Sequence, residues 1–287
     1  MGMLLITRFT IEEAFHRWLL FAMLALNVLF LAVYALMLNS AYASVTRHTA
    51  QFANPQLALL RFDVSISILT VWVAYLMSGA LAIILTIGAI SGEVEAGTFS
   101  IIVSKPLHRF EIVFGKWLGY ALILCTYTAM LLFTFLGLIY WRTGYWPDNV
   151  LSVLGMLELS TLVLLALATL GSTCVPTLVN GAIAMMLFIG APLASFVELI
   201  TPDPGETTKN IATTINLIMP TDALWHGASF YLLPSFLISV IGQSGLQSFN
   251  SPFTSIEPIA PGLLLWAIGY CIVLPVIGAL RFQRRDL

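Results

Sequence analysis

Charge is what this sequence most lacks. Only 9% of its 287 residues are Asp, Glu, Lys or Arg, and 59% are hydrophobic; a soluble domain carries about 25% charged residues. With a mean hydropathy of +0.96, the composition is that of an integral membrane protein. The balance of 12 basic against 14 acidic residues offers no basic face for a nucleic acid. Cysteine is scarce too. Cys125, Cys174 and Cys271 all lie in apolar runs, which excludes a disulfide framework in the aqueous loops. Patterns for chemistry are also missing. There is no phosphate-binding loop, because Gly115-Lys116 is followed by Trp117 and position 110 is Phe. His16, His48, His108 and His226 are scattered, with no His-Glu-x-x-His or paired-cysteine spacing, so no metal site is expected. No Gly-x-Ser-x-Gly elbow and no pair of carboxylates within the apolar runs is present. The chain reads as non-catalytic, with no cofactor of its own.

What is present is length of apolar run. A bilayer crossing needs about 20 apolar residues, and six runs reach it: Trp18–Leu38, Val64–Ala89, Trp117–Trp141, Val150–Cys174, Val175–Val197 and Gly262–Leu280. Five contain no Asp, Glu, Lys or Arg, and the fourth contains Glu158 alone. Such a carboxyl is a functional candidate by default, but a packing role, bonded to the hydroxyl of Ser160 or Thr161, is the preferred reading. Ala41-Tyr42-Ala43 resembles a cleavage site, yet the preceding run of 21 residues is longer than a signal h-region, so it is expected to be retained. The expected fold is an all-α integral membrane domain over residues 1–287 with six spans. Residues 1–17 read as an interfacial helix before them, or equally as a charged end of a longer first span. Thr10 and Glu13 have capping-box spacing, and Ile11, Phe15 and Trp18 share one face, as suits a helix lying in the membrane interface.

Lysine and arginine orient the chain. With the N-terminus inside, Arg8, Arg17, Lys105, Arg109, Lys116, Arg281, Arg284 and Arg285 are inner, against Arg47, Arg61, Arg142 and Lys209 outside. This excess puts both termini in the cytoplasm. Residues 198–261 are then the largest outer segment. Within it, an apolar and aromatic stretch bracketed by Pro220 and Pro234 is too interrupted to span and suits short helices at the outer leaflet. Trp225, Phe230, Tyr231 and Phe236 are expected at the outer membrane interface, where aromatic rings concentrate.

Residues 91–116 mix charge and apolar surface more than any other stretch. Gly97 breaks the preceding helix and Thr98 can cap a new one. Phe99, Ile102 and Val103 fall at i, i+3 and i+4, sharing one face of a short amphipathic helix. Lys105-Pro106 ends it. An apolar face between two spans reads as a docking surface for another chain.

Glu93-Val94-Glu95-Ala96-Gly97-Thr98, followed by Ser104-Lys105-Pro106, Arg109, Glu111-Ile112 and Gly115-Lys116, resembles the cytoplasmic loop of permease subunits of the ABC type-2 exporter class. The branch it is most similar to includes permeases for copper-enzyme maturation. The resemblance implies a prokaryotic inner-membrane protein that pairs with a second permease, itself or a related one, above two separate ATPase subunits. ATP and magnesium would sit on those subunits. It further implies that the loop is the coupling helix, anchored by Phe99, Ile102 and Val103. Glu93 and Glu95 would meet basic groups on the ATPase or tie to the N-terminal helix, and Arg109 and Lys116 would lie at the lipid head groups or pair with those acids. Two other readings stand beside the exporter. A mechanotransmitting anchor driving an outer partner is suggested by the long segment 198–261. A membrane-embedded enzyme lacks any convergent catalytic set.

Overall fold

The computed structural model describes residues 2–16, 18–49, 54–92, 109–200, 205–238 and 254–283. Nine helices and no strand occur among them: α1 (Gly2–His16), α2 (Trp18–His48), α3 (Pro55–Thr86), α4 (Arg109–Thr143), α5 (Val150–Cys174), α6 (Thr177–Ile200), α7 (Glu206–Ile218), α8 (Thr221–Leu232) and α9 (Pro261–Gln283). Five are long and apolar enough to cross a membrane: α2, α3, α4, α5 and α9. The expected fifth run lies on α6, whose apolar stretch Thr177–Leu193 is shorter than a full span.

Local sequence explains the boundaries. Pro55 opens α3, where a missing N–H costs nothing. Val175 is extended because it precedes Pro176, which stops α5 one residue before α6 starts. Leu233, extended before Pro234, ends α8 in the same way.

The core is the packing of α3, α4, α5 and α9, with α8 inserted against α3 and α5. Fully buried Leu124, Leu132, Phe135, Leu157 and Leu164 show where the spans meet. α2 lies at the periphery and keeps most of its surface outside the bundle. Its one buried polar side chain among the described residues, Asn27, donates to the Tyr127 hydroxyl of α4, so a donor that would be costly in hydrocarbon is satisfied.

The N-terminal helix departs from expectation in register. It begins before Thr10, and Thr10 lies in its interior with its hydroxyl donating to the Ile6 carbonyl at 2.9 Å; no capping box forms. The inward face is Ile6, Thr7, Thr10 and Ala14, while Phe15 and Trp18 are exposed. The reason is close approach. α1 crosses α4 over Gly115 and Gly119, where a Cβ would fall 2.8 Å from atoms of Ile6 and of Thr10 respectively. Small residues four apart let two backbones meet, and Thr7 Oγ1 donates to the Gly115 carbonyl at 3.1 Å. Short side chains and Ile6 therefore face the bundle, while the aromatic rings of Phe9 and Phe15 face away.

Candidate coupling site at the loop base

Residues 93–108, with Glu93, Glu95, Thr98, Phe99, Ile102, Val103, Lys105 and Pro106, lie outside the described residues. Arg109 is the first residue of α4. The structure does define the two anchor points from which this segment departs.

α3 stops at Thr86 and passes through a turn at residues 87–90. The turn is tighter than a helix, with the Ala89 amide bonded to the Thr86 carbonyl at 3.1 Å. Such an ending leaves carbonyls needing partners, and they come from other helices. Lys116 of α4, itself buried, donates from Nζ to the Ala89 carbonyl at 2.6 Å. Asn180 of α6 donates from Nδ2 to the Ile87 carbonyl at 3.0 Å and to the Ala168 carbonyl of α5 at 2.9 Å. Ser91 and Thr177 share a hydroxyl contact at 2.8 Å. The Asn180 amide fits because position 171 is Gly: a Cβ there would fall 1.9 Å from Asn180 Oδ1. A separate apolar cluster seals the same end, with Ile90 beside Ile112 and Val113 of α4, Ile6 of α1, and Ala279 and Phe282 of α9. The exit of α3 and the entry of α4 are thus tied to each other and to α1, α5, α6 and α9.

Sequence reasoning placed Lys116 at the lipid head groups or against Glu93 and Glu95, and did not foresee the Ala89 carbonyl. It assigned no role to Asn180 and read Thr177 only as part of the tight turn Cys174-Val175-Pro176-Thr177. An Asn four residues after Pro176, inside the fifth apolar run, was the available signal, since an amide there needs somewhere to bond.

At the opposite end, α7 and α8 form a cap. Trp266 and Tyr270 of α9 donate to the Leu217 and Ile218 carbonyls at the end of α7, at 2.9 and 2.6 Å. α8 enters the bundle rather than lying on it. Trp225 is 1% exposed, its ring 5.8 Å from that of Tyr75 on α3. α8 packs along α5, and its register turns Trp225 inward with Leu224, Ala228 and Leu232. Phe230 and Tyr231 are half-buried and stack edge to face, and Phe236 is exposed. Asp222, nearly fully buried, accepts from Ser195 of α6, and His226 Nδ1 lies 3.5 Å from its Oδ2. Burial pushes the Asp222 carboxyl up from its ordinary value, while His226 and the Ser195 hydroxyl act against that. Glu158 does not make the expected bond to Thr161, whose hydroxyl donates to the Leu157 carbonyl, or to Ser160, whose hydroxyl is buried without a partner among the described residues.

The family model described as ABC-2 family transporter protein matches residues 11–287. The chain belongs to that family. This ABC-2 protein is accordingly a multi-pass transmembrane component of the permease class, a kind of subunit that normally works with ATP-binding-cassette ATPases. No curated protein matches the chain.

Proposed function

We propose that this ABC-2 protein is the permease subunit of an ATP-driven exporter, and that residues 91–116 carry the movement of separate ATPase subunits into the bundle. The observation that most supports this is the Lys116–Ala89 bond. It closes the base of the loop, so a displacement of residues 93–108 acts on α3 and α4 together and, through Asn180, on α5 and α6. In this reading Phe99, Ile102 and Val103 seat on the ATPase, and Glu93, Glu95, Thr98, Lys105, Pro106 and Arg109 shape or orient the loop. The loop is cytoplasmic, both termini lie inside the prokaryotic cell membrane, α6 completes the sixth span, and two permeases stand over two ATPases that hold ATP and magnesium. The copper-enzyme-maturation branch remains part of the proposal on the loop motif alone.

A second reading, a mechanotransmitter driving an outer partner, is favoured by the insertion of α8. A cap wedged against α3 and α5 would move with them. The test is purification of the chain from its native membrane. Co-purification of an ATP-binding-cassette ATPase, with ATP hydrolysis that depends on both, is expected. A chain that purifies without such an ATPase, or that hydrolyses ATP by itself, overturns the proposal.

A further inference from the structure

At the end of the molecule away from residues 93–108, α6 has a weak point. Pro192 lies inside the helix. Proline has no N–H for the carbonyl four residues back and its ring crowds that turn, so helices hinge at such positions. The turns beyond Pro192 lead toward α7, which packs against α6. Ser195, three residues past the proline, donates to the Asp222 carboxyl of α8. That bond ties the segment beyond the hinge to the helix wedged into the bundle.

The tie carries a titratable pair. His226 Nδ1 lies 2.9 Å from the Asp222 carbonyl and 3.5 Å from its Oδ2. A carbonyl only accepts, so Nδ1 carries a hydrogen and Nε2 is the nitrogen that gains or loses one. Asp222 is 1% exposed and the His226 side chain 25%, so the imidazole gives the carboxyl a route to water. Two protons make the pair neutral: the one on Nδ1 and a second on the carboxyl or on Nε2. With one proton, a net negative charge is buried between α6 and α8, and burial disfavours that state.

Among the described side chains, no neighbouring helix offsets this charge. α3 brings the Tyr75 hydroxyl within electrostatic reach of the carboxyl, but a phenol carries no positive charge. Arg61 and Asp63 lie about three turns away along α3. Of the titratable side chains of α5, Glu158 neighbours Cys125 of α4 and Cys174 sits at the loop-base end. α6 offers the uncharged Ser195, and Glu206 of α7 and Glu257 after α8 are exposed.

We propose that Asp222 and His226 form a proton-binding site that latches the end of α6 to α8. With the second proton bound, the carboxyl holds Ser195. With it lost, the buried charge draws toward water, and the segment beyond Pro192 parts from α8. The Ser195 bond and His226 both favour the charged carboxyl, but burial outweighs them and raises the Asp222 pKa above its ordinary value of 3.8. Closure is therefore complete below that value and is lost as pH rises through the higher one. This holds whether or not an ATPase binds the chain.

The experiment uses the full chain in phosphatidylcholine nanodiscs, with hydrogen exchange read by mass spectrometry from about pH 5 to about pH 8. Exchange in residues 193–200 is divided by exchange in α5 at the same pH, which cancels the common rise of intrinsic rates. The ratio is expected to climb with pH, by up to about tenfold per pH unit where the closed latch keeps the proton and the open one has released it. Asp222→Asn keeps an acceptor for Ser195 but forms no charge, so its ratio is expected to stay flat. Should that variant fail to fold, Ser195→Ala removes the tie itself; its ratio is expected to be high already at low pH and flat. A flat ratio in the unaltered protein, or a climb that persists in either variant, overturns the latch.

Discussion

Asn180 is the residue whose loss separates the loop base from the α5–α6 hairpin. Asn180→Ala removes the side-chain amide that donates to both the Ile87 and Ala168 carbonyls, and a lost intramolecular hydrogen bond costs about 0.5–1.5 kcal/mol. Asn180→Asp goes further, because a carboxylate facing two carbonyls adds repulsion and desolvation. Thermal unfolding of the purified protein in detergent is expected to rank wild type above Ala, and Ala above Asp. Equal midpoints for Ala and wild type would remove Asn180 from the clamp. Asp222 yields a pH dependence with a definite sign. Its folded pKa lies above its ordinary value of 3.8, so the folded state holds the proton more tightly. Its contribution is fully present below about 3.8 and is lost as pH rises through the higher folded value. In a His226→Gln background, stability is expected to fall with rising pH across that window, and Asp222→Asn is expected to flatten the curve. Lys116 was legible in sequence as a cation at the start of a span, but its partner is a backbone carbonyl freed by a turn 27 residues earlier, and such a bond leaves no residue-type signal. The inward turn of Trp225 was not legible, because aromatic content suggests a depth in the membrane, not which way a short helix turns its rings.

Among the elements, α1 hangs on the narrowest geometry. Gly119→Leu places a side chain where even a Cβ would lie 2.8 Å from Thr10 and 3.1 Å from the Thr7 carbonyl. Overpacking of this kind costs about 1–3 kcal/mol, and α1 has no other large interface. Hydrogen exchange is expected to rise across residues 2–16 in Gly119→Leu while α5 keeps its protection; unchanged exchange in α1 would mean that it is held elsewhere. The long elements were legible because a span must be a continuous apolar run, and Val150–Cys174 coincides with the run read from sequence. The face of α1 was not. An interfacial reading turns large apolar residues toward the nearest hydrophobic phase, but here that phase lies outside the protein, and the inward face is chosen by glycines on another helix. α3 likewise starts nine residues before the apolar run Val64–Ala89 and stops three residues short of its end; a helix with bonded backbone extends past the hydrocarbon without penalty.

For the whole molecule, membrane class and helical architecture followed from composition and run length, since hydrocarbon permits few alternatives to satisfied helices. The cap was less legible, because short helices interrupted by proline obey packing rather than periodicity. Orientation is open to direct measurement. Single cysteines introduced as Ser100→Cys and Ser248→Cys are expected to label from opposite sides of intact vesicles, and labelling of both from one side would contradict the eight-to-four distribution of basic residues. The central claim, that residues 91–116 join the bundle to an ATPase, is tested most directly by Phe99→Asp. Phe99 lies outside the spans, so the substitution leaves membrane insertion intact while placing a charge in a dry cleft. Losing an aromatic anchor at an interface costs about 2 kcal/mol or more, roughly thirtyfold in affinity, and a desolvated charge adds to it. The measurement is the amount of ATPase that co-purifies with the variant and its ATP hydrolysis in lipid. The expected result is loss of both with the spans still folded; assembly and hydrolysis equal to those of the unaltered protein would contradict the account.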